Sequence, residues 1–111
     1  MEPSEYRKVI DVLAKTLGAG NSVELNYAHD TNHKIDVIDV TLNTSSDGNV
    51  QSRFYLRPAY LEISFRKEAF TQAKFAKLVS RFEYDLEQTF FRNIHLESME
   101  EGAEYKIRIN S

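Results

Sequence analysis

Between Gln51 and Phe91 the hydrophobic period changes once, and that change limits the possible folds more than any other feature of the chain. Phe54, Leu56, Leu61, Ile63 and Phe65 alternate with polar residues, the signature of half-buried strands over 50–56 and 60–65. Phe75, Leu78, Val79, Phe82, Leu86 and Phe90 then recur at helical spacings, so they share one face of a long amphipathic helix. A sheet face and a helix face joined by so short a connection most simply bury each other.

The rest of the chain is consistent with that core. Pro3 suits the first turn of a helix over 3–17, whose apolar stripe is Tyr6, Val9, Ile10, Leu13 and Leu17. Ser4 is a candidate cap from a slightly later start, and Gly18 to Asn21 ends the helix. Val23, Leu25 and Tyr27 alternate with polar neighbours as a short first strand, and 29–33 reads as the polar loop after it.

The second strand, 34–42, holds Val37 and Ile38 in succession, which breaks the alternation. Either a bulge sits there or the strand is covered on both faces; the bulge is the preferred expectation. Asp47-Gly48 marks a hairpin tip, and Pro58 turns the third strand into the fourth. The long helix is expected to begin between Glu68 and Gln72, with Thr71 as one candidate cap, and to reach about Arg92. Ile94-His95-Leu96, a turn around Gly102, and a last strand through Tyr105, Ile107 and Ile109 close the chain.

This order predicts one α+β domain over 1–111. Its antiparallel sheet should have about five to six strands, with an N-terminal helix and one long helix packed on one face. The other face is then left available. At 111 residues the chain is long enough to bury a core of its own.

Several function classes lose their residues. The chain has no cysteine, which removes disulfides, thiolate metal sites and cysteine nucleophiles. No glycine-rich phosphate loop or nucleophile elbow occurs, so no enzyme and no cofactor is expected. No apolar run approaches the length that spans a bilayer, and 1–16 lacks the apolar core of a secretory signal; the expectation is cytoplasmic, with no membrane partner. Asp36 and Asp39 are three apart on a strand, and so point to opposite faces unless a bulge intervenes. No motif is long or specific enough to carry a resemblance to a known family.

Charge is segregated along the chain. Residues 1–50 have a net charge of −4, residues 51–82 of +5 and residues 83–111 of −4. On the strands of that basic centre Arg53, Tyr55, Arg57, Tyr60 and Arg66 point away from the core, joined by Lys106 and Arg108 from the last strand if all share one sheet. Arginines interleaved with tyrosines can neutralise phosphates and stack on unpaired bases. They also suit an ordinary solvated sheet face, with Glu62 pairing to Arg53 or Arg57 across the strands.

Three functional expectations follow. The first is a non-enzymatic regulatory or adaptor protein that binds another protein, the basic centre steering it to an acidic surface. The alternative is a regulator that binds RNA or single-stranded DNA, RNA more than DNA, through the seven face residues just named. The third is a metal-dependent enzyme or sensor at His29, Asp30 and His33, the only cluster of ligand types in the sequence. Tyr84 and Phe91 fall off the core stripe of the long helix, where they either pack under the terminal strands or form a homodimer contact.

Overall fold

The computed structural model describes residues 3–110. A single 3-10 turn over Pro3–Glu5 leads into helix α1, Tyr6–Thr16. Four strands follow, β1 (Val23–Asp30), β2 (Ile35–Asn43), β3 (Asn49–Leu56) and β4 (Tyr60–Arg66). A 3-10 turn over Lys67–Ala69 precedes helix α2, Gln72–Phe90, and the chain ends in β5 (Leu96–Glu101) and β6 (Glu104–Asn110). The six strands form one antiparallel sheet in the order β1-β2-β3-β4-β6-β5. The β4–β6 pairing brings the last strand beside the basic centre of the chain.

Both helices cover the same face. From β2 to β6, Ile38, Phe54, Ile63 and Ile107 form one row across the sheet beneath them, and all four are buried. Phe82 and Leu86 of α2 and Val9, Ile10 and Leu13 of α1 close over that row. Phe75 stacks on Tyr105 with ring centroids 4.4 Å apart and meets Phe65 edge-on at 6.3 Å. The α1 stripe is wider than its sequence pattern indicates, because Val12 and Ala14 are buried as well. Among the described residues no helix is long and apolar enough to cross a membrane.

Two local expectations change. The β2 register runs without interruption from Ile35 to Leu42 against β1 and from Asp36 to Asn43 against β3, so there is no bulge at Val37–Ile38. Ile38, Val40 and Leu42 face the helices, while Val37 is buried on the opposite face between Ala28 and Tyr55. Two-sided burial, not a phase slip, explains the two successive apolar residues. Second, β1 continues through His29 and Asp30, which the polar composition had placed in a loop.

At the helix starts, Ser4 makes no cap; the residue before α1 is Glu5, whose side chain caps nothing. Thr71 does cap α2, its hydroxyl accepting the Lys74 amide at 3.1 Å. Thr71→Ala should therefore lower stability by about 1 kcal/mol, measured by urea unfolding, because one orphan donor of the first turn loses its partner. A loss below about 0.3 kcal/mol would mean that water replaces the hydroxyl at no cost.

Candidate functional site

The sheet face opposite the helices gathers all seven residues that the sequence nominated there. Strand pairing sets Arg53 beside Ser64 and Ser64 beside Lys106 in one row, and Tyr55, Glu62 and Arg108 in the next. Arg57 and Tyr60 stand at one end of these rows and Arg66 at the other, opposite Glu104 in the strand register. A shallow depression of about 350 Å³ lies between Asp39, Thr41, Gln51, Arg53, Ser64 and Arg66.

The strand register also brings carboxylates onto this face. Arg53 grips Asp39 with two hydrogen bonds, from Nε at 2.7 Å and Nη2 at 3.3 Å. Asp39 and then the Tyr55 hydroxyl raise the Arg53 pKa above its ordinary value. Lys106 Nζ lies 3.5 Å from Glu101. Glu62 holds two cations, Arg108 at 3.3 Å and Arg57 at 3.9 Å. Its partner is thus Arg57, as the cross-strand reading allowed, together with Arg108 from the distant end of the chain.

Glu62 is only 4% exposed although no helix or second sheet covers this face among the described residues. The cover is made by the side chains around it. Arg108 lies over the Tyr60 ring at 4.4 Å and Arg57 over Tyr55 at 5.6 Å, so each tyrosine face carries a guanidinium. Among the described residues the Nε atoms of Arg57 and Arg108 are buried without a hydrogen-bond partner, which leaves the terminal nitrogens and Glu62 to hold these cations. Of the five cations on the face, Arg66 alone forms no ion pair among the described residues. The arrangement is an internally neutralised layer of charge and aromatic rings.

The histidine cluster comes apart. His29 and Asp30 are neighbours on β1, so their side chains leave opposite faces of the sheet. His29 Nδ1 meets Asp36 at 3.0 Å, while His33 Nδ1 meets Asp30 at 2.8 Å. The His33 ring, then the His33 and Asn32 amides, hold the Asp30 carboxyl below its ordinary pKa. Asp30 ties down the β1–β2 turn. Among the described residues no three ligand-type side chains converge on a metal position, at His29, Asp30 and His33 or elsewhere.

Sequence reasoning underrated the solvent side of α2. Lys77, Arg81, Tyr84 and Gln88 line it, Phe91 follows at its end, and all five are exposed. Tyr84 is 61% and Phe91 91% exposed, so neither packs under the terminal strands. Phe91 also closes the helix in the left-handed conformation, with φ 54° and ψ 42°. That position favours glycine, and a bulky side chain there costs about 1–2 kcal/mol. The helix's acidic half has a separate role: Glu83 accepts the Leu96 amide at 2.8 Å and Glu87 the Ile94 amide at 3.1 Å, fixing the connection to β5.

Compared with known protein families, curated proteins and solved structures, the chain matches none of them. What defines it is its own architecture, a six-stranded antiparallel α+β protein with both helices on one face.

Proposed function

We propose that this chain is a non-enzymatic regulatory or adaptor protein of the cytoplasm that binds another protein through the solvent side of α2. The observation that carries the reading is Phe91. Its ring is 91% exposed and its backbone is held in a conformation unfavourable to phenylalanine. The left-handed turn closes α2, but glycine would close it with less strain and the exposed ring gains no packing in exchange; strain kept without a packing return is a mark of function. Burying the ring in a partner's pocket would contribute about 1.5–3 kcal/mol.

Tyr84 supplies a second aromatic anchor on the same helix side, and Lys77 and Arg81 supply a positive approach. Aromatic residues and arginine are the residue types enriched at protein interfaces. The fitting partner has an apolar pocket rimmed by carboxylates. The open sheet face is the weaker candidate, since four of its five cations are already paired and both tyrosines already carry guanidinium groups. These pairings weigh against the nucleic-acid alternative, because each phosphate would have to displace a carboxylate.

Phe91→Gly tests the reading with opposite effects on stability and binding. The variant should be more stable by about 1 kcal/mol in urea unfolding, because the left-handed penalty disappears. Partner recovered at low salt from nuclease-treated extract should fall at least about tenfold, and further with Tyr84→Ser. Nucleic acid recovered instead, and lost on changing Arg53 and Arg57, would overturn the proposal in favour of the sheet face.

A further inference from the structure

The two edges of the sheet are finished differently. β5 is short, carries Glu97, Glu100 and Glu101, and gives its first amide to Glu83. Lys67 at 3.2 Å and Gln72 at 2.8 Å lean onto Glu100 from the start of the helix layer. Charge and side-chain cover of this kind stop a further strand from adding. β1 is longer and carries two carboxylates, Glu24 and Asp30, neither of them held by the helix layer among the described residues. Its eight residues, Val-Glu-Leu-Asn-Tyr-Ala-His-Asp, include no Lys, Arg, Pro or Gly, and no bulge interrupts its pairing with β2.

The hydrogen-bond phase of that edge can be read directly. Ser22 accepts the Asn43 amide at 2.9 Å, so Glu24, Asn26, Ala28 and Asp30 bond inward to β2. The amides and carbonyls of Leu25, Tyr27 and His29 therefore point outward. Beside them Tyr27 is 55% exposed on the helix side, held by Arg7 at 3.2 Å and by Tyr6 edge-on at 6.5 Å. The Tyr6 hydrogen bond and then Arg7 lower the Tyr27 pKa from its ordinary value.

We infer that β1 pairs antiparallel with β1 of a second copy of this chain, about a twofold axis at Asn26, making one continuous sheet twice as wide. Self-complementarity selects both the occupant and the register. With the axis at Asn26, Leu25 and Tyr27 of one copy exchange backbone bonds with Tyr27 and Leu25 of the other, and His29 reaches Val23. Their side chains join on the helix side as a shared apolar seam. On the open face Glu24 stands opposite Ala28 and Asp30 opposite Ser22, so no like charges stand directly opposite each other.

An axis at Tyr27 would set Glu24 against Asp30. An axis at Leu25 would set His29 opposite Asn21, which lies outside the strand, and leave it unpaired. On α1 above the seam, Arg7 and Asp11 are one helical turn apart, so an antiparallel copy presents unlike charges to them. The pairing does not use Tyr84 or Phe91, so it stands or falls independently of the partner surface on α2.

The protein has no cysteine, which allows a direct test. At the axis, Asn26 would face its own copy as a non-hydrogen-bonded pair with Cα atoms about 4.5 Å apart, within disulfide range. Mild oxidation of Asn26→Cys should convert most of the protein to a reducible covalent dimer, while Ser98→Cys on the β5 edge stays monomeric. Native protein should sediment as a dimer, and Phe91→Gly should too.

Tyr27→Pro removes an outward donor that β2 does not use, and should sediment as a monomer with unchanged far-ultraviolet circular dichroism. If it misfolds, Asn26→Lys serves instead. Its charge faces Asp39 within the chain but its own copy across the seam. Native protein that is monomeric at about 100 μM, where a sheet interface of micromolar affinity would be filled, overturns the inference. So does a dimer that survives both variants, or Asn26→Cys crosslinking no better than Ser98→Cys.

Discussion

Replacing Glu62 with alanine should destabilise the protein by about 3 kcal/mol, although the residue lies on the face turned away from the helices. The expectation comes from what remains behind. Arg57 and Arg108 would keep their partly buried guanidinium groups beside Tyr55 and Tyr60 with no carboxylate between them. A buried ion pair contributes little net stability when intact, yet removing one partner leaves the other charge uncompensated in a poor dielectric. Glu62→Gln keeps an acceptor oxygen and should cost about half as much.

Thermal melting should show a drop of roughly 12 °C for the alanine variant. The cause is separable by a cycle. In an Arg57→Ala, Arg108→Ala background the same Glu62→Ala change should cost under about 1 kcal/mol, since no orphaned cation remains. A wild-type cost below about 0.5 kcal/mol would mean that the cluster behaves as screened surface charge.

Phe82→Ala should have the larger effect, about 3–5 kcal/mol. Phe82 is fully buried at the centre of α2, in the layer between that helix and the sheet row of Phe54, Ile63 and Ile107. Truncation removes the transfer energy of the ring and leaves a cavity that a rigid sheet cannot collapse to fill. A domain of this size has about 5–15 kcal/mol to lose, so the variant should unfold in markedly less urea with an unchanged slope. Val79→Ala on the same helix is the control: Val79 is half-buried and should cost roughly 1 kcal/mol. A Phe82→Ala cost no larger than the Val79→Ala cost would show that the helix layer is loosely packed.

The face carrying Arg53, Tyr55, Arg57, Tyr60, Arg66, Lys106 and Arg108 was legible because period-2 alternation assigns every side chain of a strand once one is placed. The same alternation cannot say which carboxylate stands opposite which arginine. Asp39 reaches Arg53 through the β2–β3 register, and Arg108 reaches Glu62 through β4–β6, a pairing between strands separated by the whole of α2. Charge counts along the chain therefore showed a basic centre, where the folded sheet places acids from both acidic ends beside it.

Val37 misled for a related reason. One extra apolar residue in a strand is compatible with a bulge or with burial by neighbours on the second face, and only the neighbours decide. Phe91 was visible as an outlier from the helical stripe, but its left-handed backbone was not, because a terminal residue's conformation depends on how the helix is left. Glu83 and Glu87 lie in the C-terminal half of α2, where acidic charge opposes the helix dipole. Their use is local, as acceptors for amides that the turn into β5 would otherwise leave unpaired.

The strand order has a consequence for how the chain closes on itself. Every neighbouring pair in the sheet is a hairpin of consecutive strands except β4–β6. The molecule is thus two locally wired pieces, a four-strand meander and a terminal hairpin, meeting along a single seam. Forming that seam carries the largest loop-closure entropy in the sheet, with α2 as the tether that shortens the search. It is also the line along which the sheet can part without undoing any hairpin, and the Glu62–Arg108 pair lies across it as a clasp.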